Sequence, residues 1–240
     1  MNSLFTLLIL FSFSIVYAGN SNNETLDYTI RFGPLKGGKA SISTTHKEYK
    51  GKDMIFTEMK LQSTGVANSI YNFDNTYSCF IDSINCLPVK TSFNLSEQGD
   101  QYEDDVTYFQ DEGTLFSNQV GWDEAKGEIL DLVSLIYNFR FSGRLANLKK
   151  GDILNVPFWD VNEIYTLQLK FGGEEEIKTQ AGAFQCKKIE PMSESGSGHS
   201  NKTPISIWIT NDVRKLPVLI QFDLRIGSIK CELDSILQQR

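Results

Sequence analysis

From Thr25 to Phe32 every second residue is apolar: Leu26, Tyr28, Ile30 and Phe32 alternate with Thr25, Asp27, Thr29 and Arg31. A period of two puts those side chains on one face of a strand and their polar neighbours on the other. The same rhythm resumes after Gly37-Gly38 through Ala40 and Ile42, and returns over 52–63, 75–82, 87–95 and 101–110. Beyond the middle of the chain it marks 152–159, 164–171, 175–179 and 184–191. It is clearest over 204–236. There Ile205, Ile207 and Ile209 alternate with Ser206, Trp208 and Thr210, then Val218, Ile220, Phe222 and Leu224 recur, then Ile229, Cys231 and Leu233. Gly33-Pro34, Gly99-Asp100, Gly172-Gly173 and Gly227 punctuate the segments with turn chemistry. Roughly a dozen short strands at this spacing predict an antiparallel barrel or sandwich, without βαβ units.

One stretch has a different period. Over 125–141, Ile129, Leu130, Leu132, Val133, Leu135, Ile136 and Phe139 recur at helical spacing. Asp123 and Glu124 stand where negative charge favours a helix start, and Arg140 and Arg144 where positive charge favours its end. A lone amphipathic helix in such a chain is expected to cover or plug an opening in the sheet, with its apolar stripe as core. Ser193 to Ser200 has the composition of a flexible loop.

The chain opens with an apolar run, Leu4 to Val16, followed by Val16-Tyr17-Ala18. The run is shorter than the ~20 residues that span a bilayer and ends in a small-x-small pattern, so residues 1–18 are predicted to be a cleaved export signal. Gly19, not a lipid-attachment cysteine, follows the cut. No later segment is long and apolar enough to cross a membrane, so residues 19–240 are expected to form a single β-rich domain, periplasmic or secreted. The net charge of −7 lies wholly in that domain and argues against a nucleic-acid partner, whose binding needs a basic stripe.

Cys79, Cys86, Cys186 and Cys231 are the only cysteines. In an oxidising compartment they are disulfide candidates, Cys79 with Cys86 across a hairpin tip and Cys186 with Cys231 between late strands. The alternative for Cys186 and Cys231 is that they are small buried hydrophobes. No Cys-x-x-Cys pair exists and neither histidine lies near a cysteine, so no metal or cofactor is expected. His46 reads as surface, and His199 sits in the Ser/Gly loop. No zinc-protease, nucleophile-elbow or phosphate-loop motif is present, so no catalytic residue is assigned. The acidic runs Glu103-Asp104-Asp105 and Glu174-Glu175-Glu176 read as solvated strand faces, which places a glycan hydrolase last among the readings. Sequons at Asn23, Asn94 and Asn201 matter only in a eukaryotic secretory pathway. Trp122, Trp159 and Trp208 offer large aromatic surfaces. Trp208 faces either a partly polar cavity or a second core layer.

Several pieces in order resemble an uncharacterised exported bacterial family, the domain of unknown function 3108 family. These are the run from Leu26 to Ala40, the helix piece from Asp131 to Arg140, and Gly182-Ala183-Phe184-Gln185-Cys186-Lys187-Lys188-Ile189. Trp208-Ile209-Thr210-Asn211-Asp212 leading to Lys215-Leu216-Pro217-Val218 follows, then Gly227 to Leu233. The resemblance implies an open β-barrel or half-barrel like that of periplasmic lipoprotein carriers, with the amphipathic helix packed against it. It supplies no activity. The function this motivates is non-enzymatic binding of an apolar ligand, a lipid or acyl chain, with a lipid, lipoprotein or envelope protein as partner. Phe139, Arg140, Trp159 and Trp208 are the candidate ligand-lining residues. The alternative is a structural or envelope-interaction protein with a filled core.

Overall fold

The structure, a computed structural model, describes residues 23–192, 204–224 and 227–239. Residues 1–18, read above as an export signal, and the stretch 193–200 with His199, together with Asn201, lie outside these residues. The first half of the chain forms β1 (Asn23–Phe32), β2 (Leu35–Tyr49), β3 (Lys52–Ser63), α1 (Gly65–Ile70), β4 (Phe73–Ile81), β5 (Pro88–Glu97), β6 (Asp100–Phe109), β7 (Thr114–Ser117) and β8 (Gly121–Glu124). The second half adds α2 (Leu132–Phe141), β9 (Ile153–Trp159), β10 (Ile164–Thr179), β11 (Gly182–Pro191), β12 (Ile205–Thr210), β13 (Pro217–Asp223) and β14 (Ser228–Gln239).

All fourteen strands form one antiparallel sheet in the order β8-β7-β6-β5-β4-β3-β2-β1-β14-β13-β12-β11-β10-β9. Two meanders therefore meet where β1 pairs with β14, from Asn23 opposite Gln239 to Phe32 opposite Ile229. The sheet is open by its ladder, with β8 and β9 as edges, and side contacts draw the edges together. Leu130 bridges to β9, its N–H donating to Pro157 O at 2.9 Å and its carbonyl accepting from Trp159 N at 2.8 Å. Ile164 N donates to Asp123 Oδ2 at 3.0 Å, and the Tyr102 hydroxyl to Val161 O at 3.1 Å.

The helix of the second half is shorter than its apolar rhythm predicts. Ile129 and Leu130 continue the spacing, but the backbone of Leu130 is spent on β9 and cannot enter a helix. Asp131 then starts the helix as N-cap: its carboxylate accepts from Ser134 N at 2.8 Å, while Ser134 Oγ accepts from Asp131 N. Asp123 and Glu124, expected at the helix start, are in β8. Every position from Val133 to Arg140 except Tyr137 is buried, so α2 lies inside the curved sheet. A second helix, α1, was not expected.

Cross-strand pairing fixes which side chains face α2. Cys231, Ile220, Ile207 and Ile189 form one inward row across β14, β13, β12 and β11. β12 is buried at all six positions, Trp208 included. Trp208 packs with the main core, and on its outer face Nε1 donates to Glu175 and the Lys188 ammonium sits 5.2 Å from the ring. The β10–β11 hairpin carries Ile177, Ala181 and Phe184 against the core, and Ala181 N donates to Leu233 O of β14 at 3.3 Å.

The expected disulfides do not form; all four cysteines are free and buried. Cys186 and Cys231 sit on β11 and β14, three strand spacings or about 14 Å apart, beyond the ~7 Å Cα limit for a bridge. Cys79 lies opposite Thr91, whereas Cys86 is in the turn beyond the Ile81–Pro88 pair, more than about 10 Å further along the hairpin.

Candidate functional site

Inside the sheet, α2 leaves little room. Two voids between helix and wall hold about 10 Å³ and 20 Å³. Each is space for about one water. The first is lined by Ile42, Thr44, Thr57, Met59 and the helix residues Val133, Ile136, Tyr137 and Arg140; the second by Tyr28, Met59, Leu132, Ile136, Ile220 and Cys231 among others.

The polar groups here are also matched. Asp131, 1% exposed, accepts from Thr91 Oγ1 at 2.5 Å and from the Tyr108 hydroxyl at 2.8 Å besides its cap bonds. That carboxylate pins α2 to β5 and β6. Burial, reinforced by the Asp131 charge, pushes both the Tyr108 hydroxyl and the Cys79 thiol well up, so both stay protonated. Arg140 pairs with Glu24 at 2.7 Å and donates from Nε to Lys215 O at 2.9 Å and from Nη2 to Arg214 O at 3.2 Å. It latches the helix end to β1 and to the β12–β13 turn.

The four expected lining residues are therefore separated and packed. Phe139 is in the main core, Arg140 is ion-paired, and Trp208 is bonded to Glu175. Trp159 belongs to a second cluster with Phe93, Val106 and Ile129. Among the described residues its indole N–H has no hydrogen-bond partner. The acidic runs are not a pair of free carboxylates either. Asp104 is buried, contrary to a solvated strand face, and accepts from Ser117 Oγ at 2.6 Å; Asp105 accepts from Lys90 Nζ at 2.9 Å. Glu174 and Glu175 hold Asn211 and Trp208. His46 forms an exposed pair with Asp53. Among the described residues no three His, Cys, Asp or Glu side chains converge as metal ligands.

The roomy apolar site is elsewhere, at the mouth where β1, β2, β4 and β14 meet α1. A cleft of about 310 Å³ is lined by Ile30, Phe32, Leu35, Ala67, Ile70 and Phe73, with Val66, Tyr71 and Ile229 beside them. That is the lower end of the volume typical of small-ligand sites. Its wall continues inward: Ile30 and Ile229 of the cleft are followed, two residues deeper on the same strand faces, by Tyr28 and Cys231 of the larger void.

Local chemistry builds the mouth. β2 shifts register beside the Ile30/Arg31 step, leaving Gly37 unpaired between Gly38 and Lys36. Its carbonyl accepts from Thr64 N at 3.1 Å, tying the start of α1 to β2. Gly38 is required by close approach, because a Cβ there would lie 2.4 Å from Gln62 O and 3.3 Å from the Phe73 ring. Asn68 of α1 accepts from Ser63 Oγ at 2.6 Å and Asn72 Nδ2 at 2.7 Å. α1 buries none of its own residues: Val66 is 79% and Ile70 74% exposed, and Leu35 across the cleft is 64% exposed.

Three basic residues back this rim. Arg31 stands directly opposite Lys36 on one side and Lys230 on the other. Arg31 pairs with Glu232 at 2.8 Å, whereas Lys36 and Lys230 have no ion pair among the described residues.

The fold defines the class: an antiparallel, barrel-like sheet with a helix plugging its interior. Within that class the chain belongs to the family described as protein of unknown function DUF3108, whose model matches residues 27–234. No curated protein shows significant similarity to it. Among solved structures, a beta-barrel-like protein of domain of unknown function DUF1849 from Brucella abortus matches with TM-score 0.59 and 6% identity, over 91% of this chain and 98% of that one. At that identity the likeness shows the fold alone. A DUF1089-family protein from Pseudomonas aeruginosa has TM-score 0.37 and 12% identity, over 90% of this chain and 95% of that one.

Proposed function

We propose that this is an exported binding protein for an amphipathic ligand with an acyl chain and an anionic head, held in the mouth cleft beside α1. The single supporting observation is the 310 Å³ apolar cleft, whose large side chains the fold leaves exposed. Monomeric proteins seldom expose contiguous apolar surface without a use for it. Lys36 and Arg31 are among the lining residues, so a carboxylate or phosphate head has cations beside the chain's entrance. Binding requires no catalytic group. The small described voids around α2 favour the mouth over the interior as the binding place, with α2 as a packed plug.

The test is uptake of a fluorescent fatty acid, alongside native mass spectrometry of gently purified protein. The wild-type chain should take up the probe with saturation, and Ala67→Trp, which fills the cleft, should abolish uptake at an unchanged unfolding midpoint. Uptake that persists in Ala67→Trp and Val66→Asp alike, or protein that never takes the probe, overturns the reading.

A further inference from the structure

The cross-strand row Lys230–Arg31–Lys36 is an arrangement that folding alone disfavours. Like charges directly opposite one another on a sheet are destabilising. Here three cations sit side by side across β14, β1 and β2, with one carboxylate, Glu232, bonded to the middle one. The chain as a whole carries a net charge of −7, so a basic row is not an average of its surroundings. Next along β1 and β2, at the extremity of the sheet, are Phe32 and Leu35, joined in an apolar rim by Val66 and Ile70 of α1 and by the ring of Tyr71, whose hydroxyl donates to Glu97 at 2.7 Å. Leu224 adds to it from the β13–β14 turn, where a Cβ on Gly227 would meet the Phe32 ring at 3.4 Å.

Apolar side chains at a tip and cations one step behind them form a two-layer pattern with a specific complement. In a lipid surface, acyl chains lie beneath phosphates. Rim residues entering the boundary by a few ångströms would bring the ammonium and guanidinium groups to the level of the phosphates. We infer that this end of the barrel docks on an anionic lipid bilayer, with the apolar rim inserted and Lys230, Arg31 and Lys36 against the headgroups. The inference shares the cleft's apolar chemistry with the ligand reading and does not require the cleft to be occupied. Docked in this way, the cleft opens toward the bilayer without crossing water.

Vesicle flotation with the full chain tests it. The protein should float with mixed phosphatidylglycerol–phosphatidylcholine vesicles, remain unbound with phosphatidylcholine alone, and be released by salt, because the cation layer is screened. Lys36→Glu with Lys230→Glu should lower binding at least about tenfold, from roughly 1 kcal/mol per basic residue near an anionic surface and the charge reversal added to it. Leu224→Asp, outside the residues lining the cleft, should also weaken flotation while leaving fatty-acid uptake intact. Equal flotation on neutral and anionic vesicles, or wild-type flotation of the charge-reversed variant, overturns the docking inference. Ala67→Trp separates the two proposals: it should lose probe uptake and keep flotation, so either can fail alone.

Discussion

The two helices occupy the same half-barrel and are treated in opposite ways. Around α2 almost every apolar side chain is covered, the described voids are the size of single waters, and the buried charges of Asp131 and Arg140 have partners on three or more sides. Around α1 the largest side chains face outward, and two lysines lack ion pairs among the described residues. A chain that can satisfy one helix so completely is able to bury apolar surface well. The exposed mouth is therefore a property of that location and has a cause other than poor packing.

The contrast can be broken first at its tight end. Asp131→Ala removes the α2 cap and orphans the buried Thr91 and Tyr108 hydroxyls. A lost cap costs about 1 kcal/mol and each orphaned donor about 1–3, so stability should fall by about 3–7 kcal/mol in a denaturant titration. A loss below 1 kcal/mol would mean that the interior is looser than described. A smaller effect comes from pH. Burial pushes the Cys231 thiol up to about 12, above an ordinary value near 9. Below pH 9 the thiol is protonated folded or unfolded and contributes nothing to the slope. Between about 9 and 12 the unfolded chain loses the proton first, so stability falls as pH rises, by about 1.4 kcal/mol per unit for this group. Cys231→Ala should flatten that slope by the same amount, measured by unfolding midpoints across the alkaline range. The smallest effect is predicted at the mouth. Ile70→Asp should change stability by no more than about 0.5 kcal/mol, because the side chain is already in water. A large loss there would erase the distinction between the two helices.

Much of this architecture was legible in residue order. Alternation located nearly all the strands, because each has one face on a common core. The Pro204–Ile236 rhythm became β12, β13 and β14 with the isoleucines inward. The start of α2 was misread because Leu130 satisfies helical spacing while its backbone bonds to Pro157 and Trp159, a partnership invisible in local sequence. The Asp131-x-x-Ser134 cap was available as a stop-and-start signal. Trp159 and Trp208 stand among the candidate lining residues because aromatic content does not say which layer covers it. The mouth was missed for a different reason. Val66 and Ile70 share a helix face in a segment too short to show a period, and the basic row joins residues from opposite ends of the chain through the β1–β14 pairing. Only Phe32 and Leu35, apolar on either side of a Gly-Pro turn, hinted at an exposed apolar edge.

That pairing also orders how the molecule can be made. β1 leaves the ribosome among the first strands and can close a hairpin with β2 at once, but its other edge pairs with β14, among the last strands to be synthesised. Until then an unpaired strand edge is open to any other extended chain, in the middle of what will be the finished sheet. Contacts spanning nearly the whole chain are slow to form, so the two meanders should assemble first and join last. A nascent chain is thus a half-sheet with a sticky margin, and shielding that margin is a task for whatever accompanies the protein before it is complete.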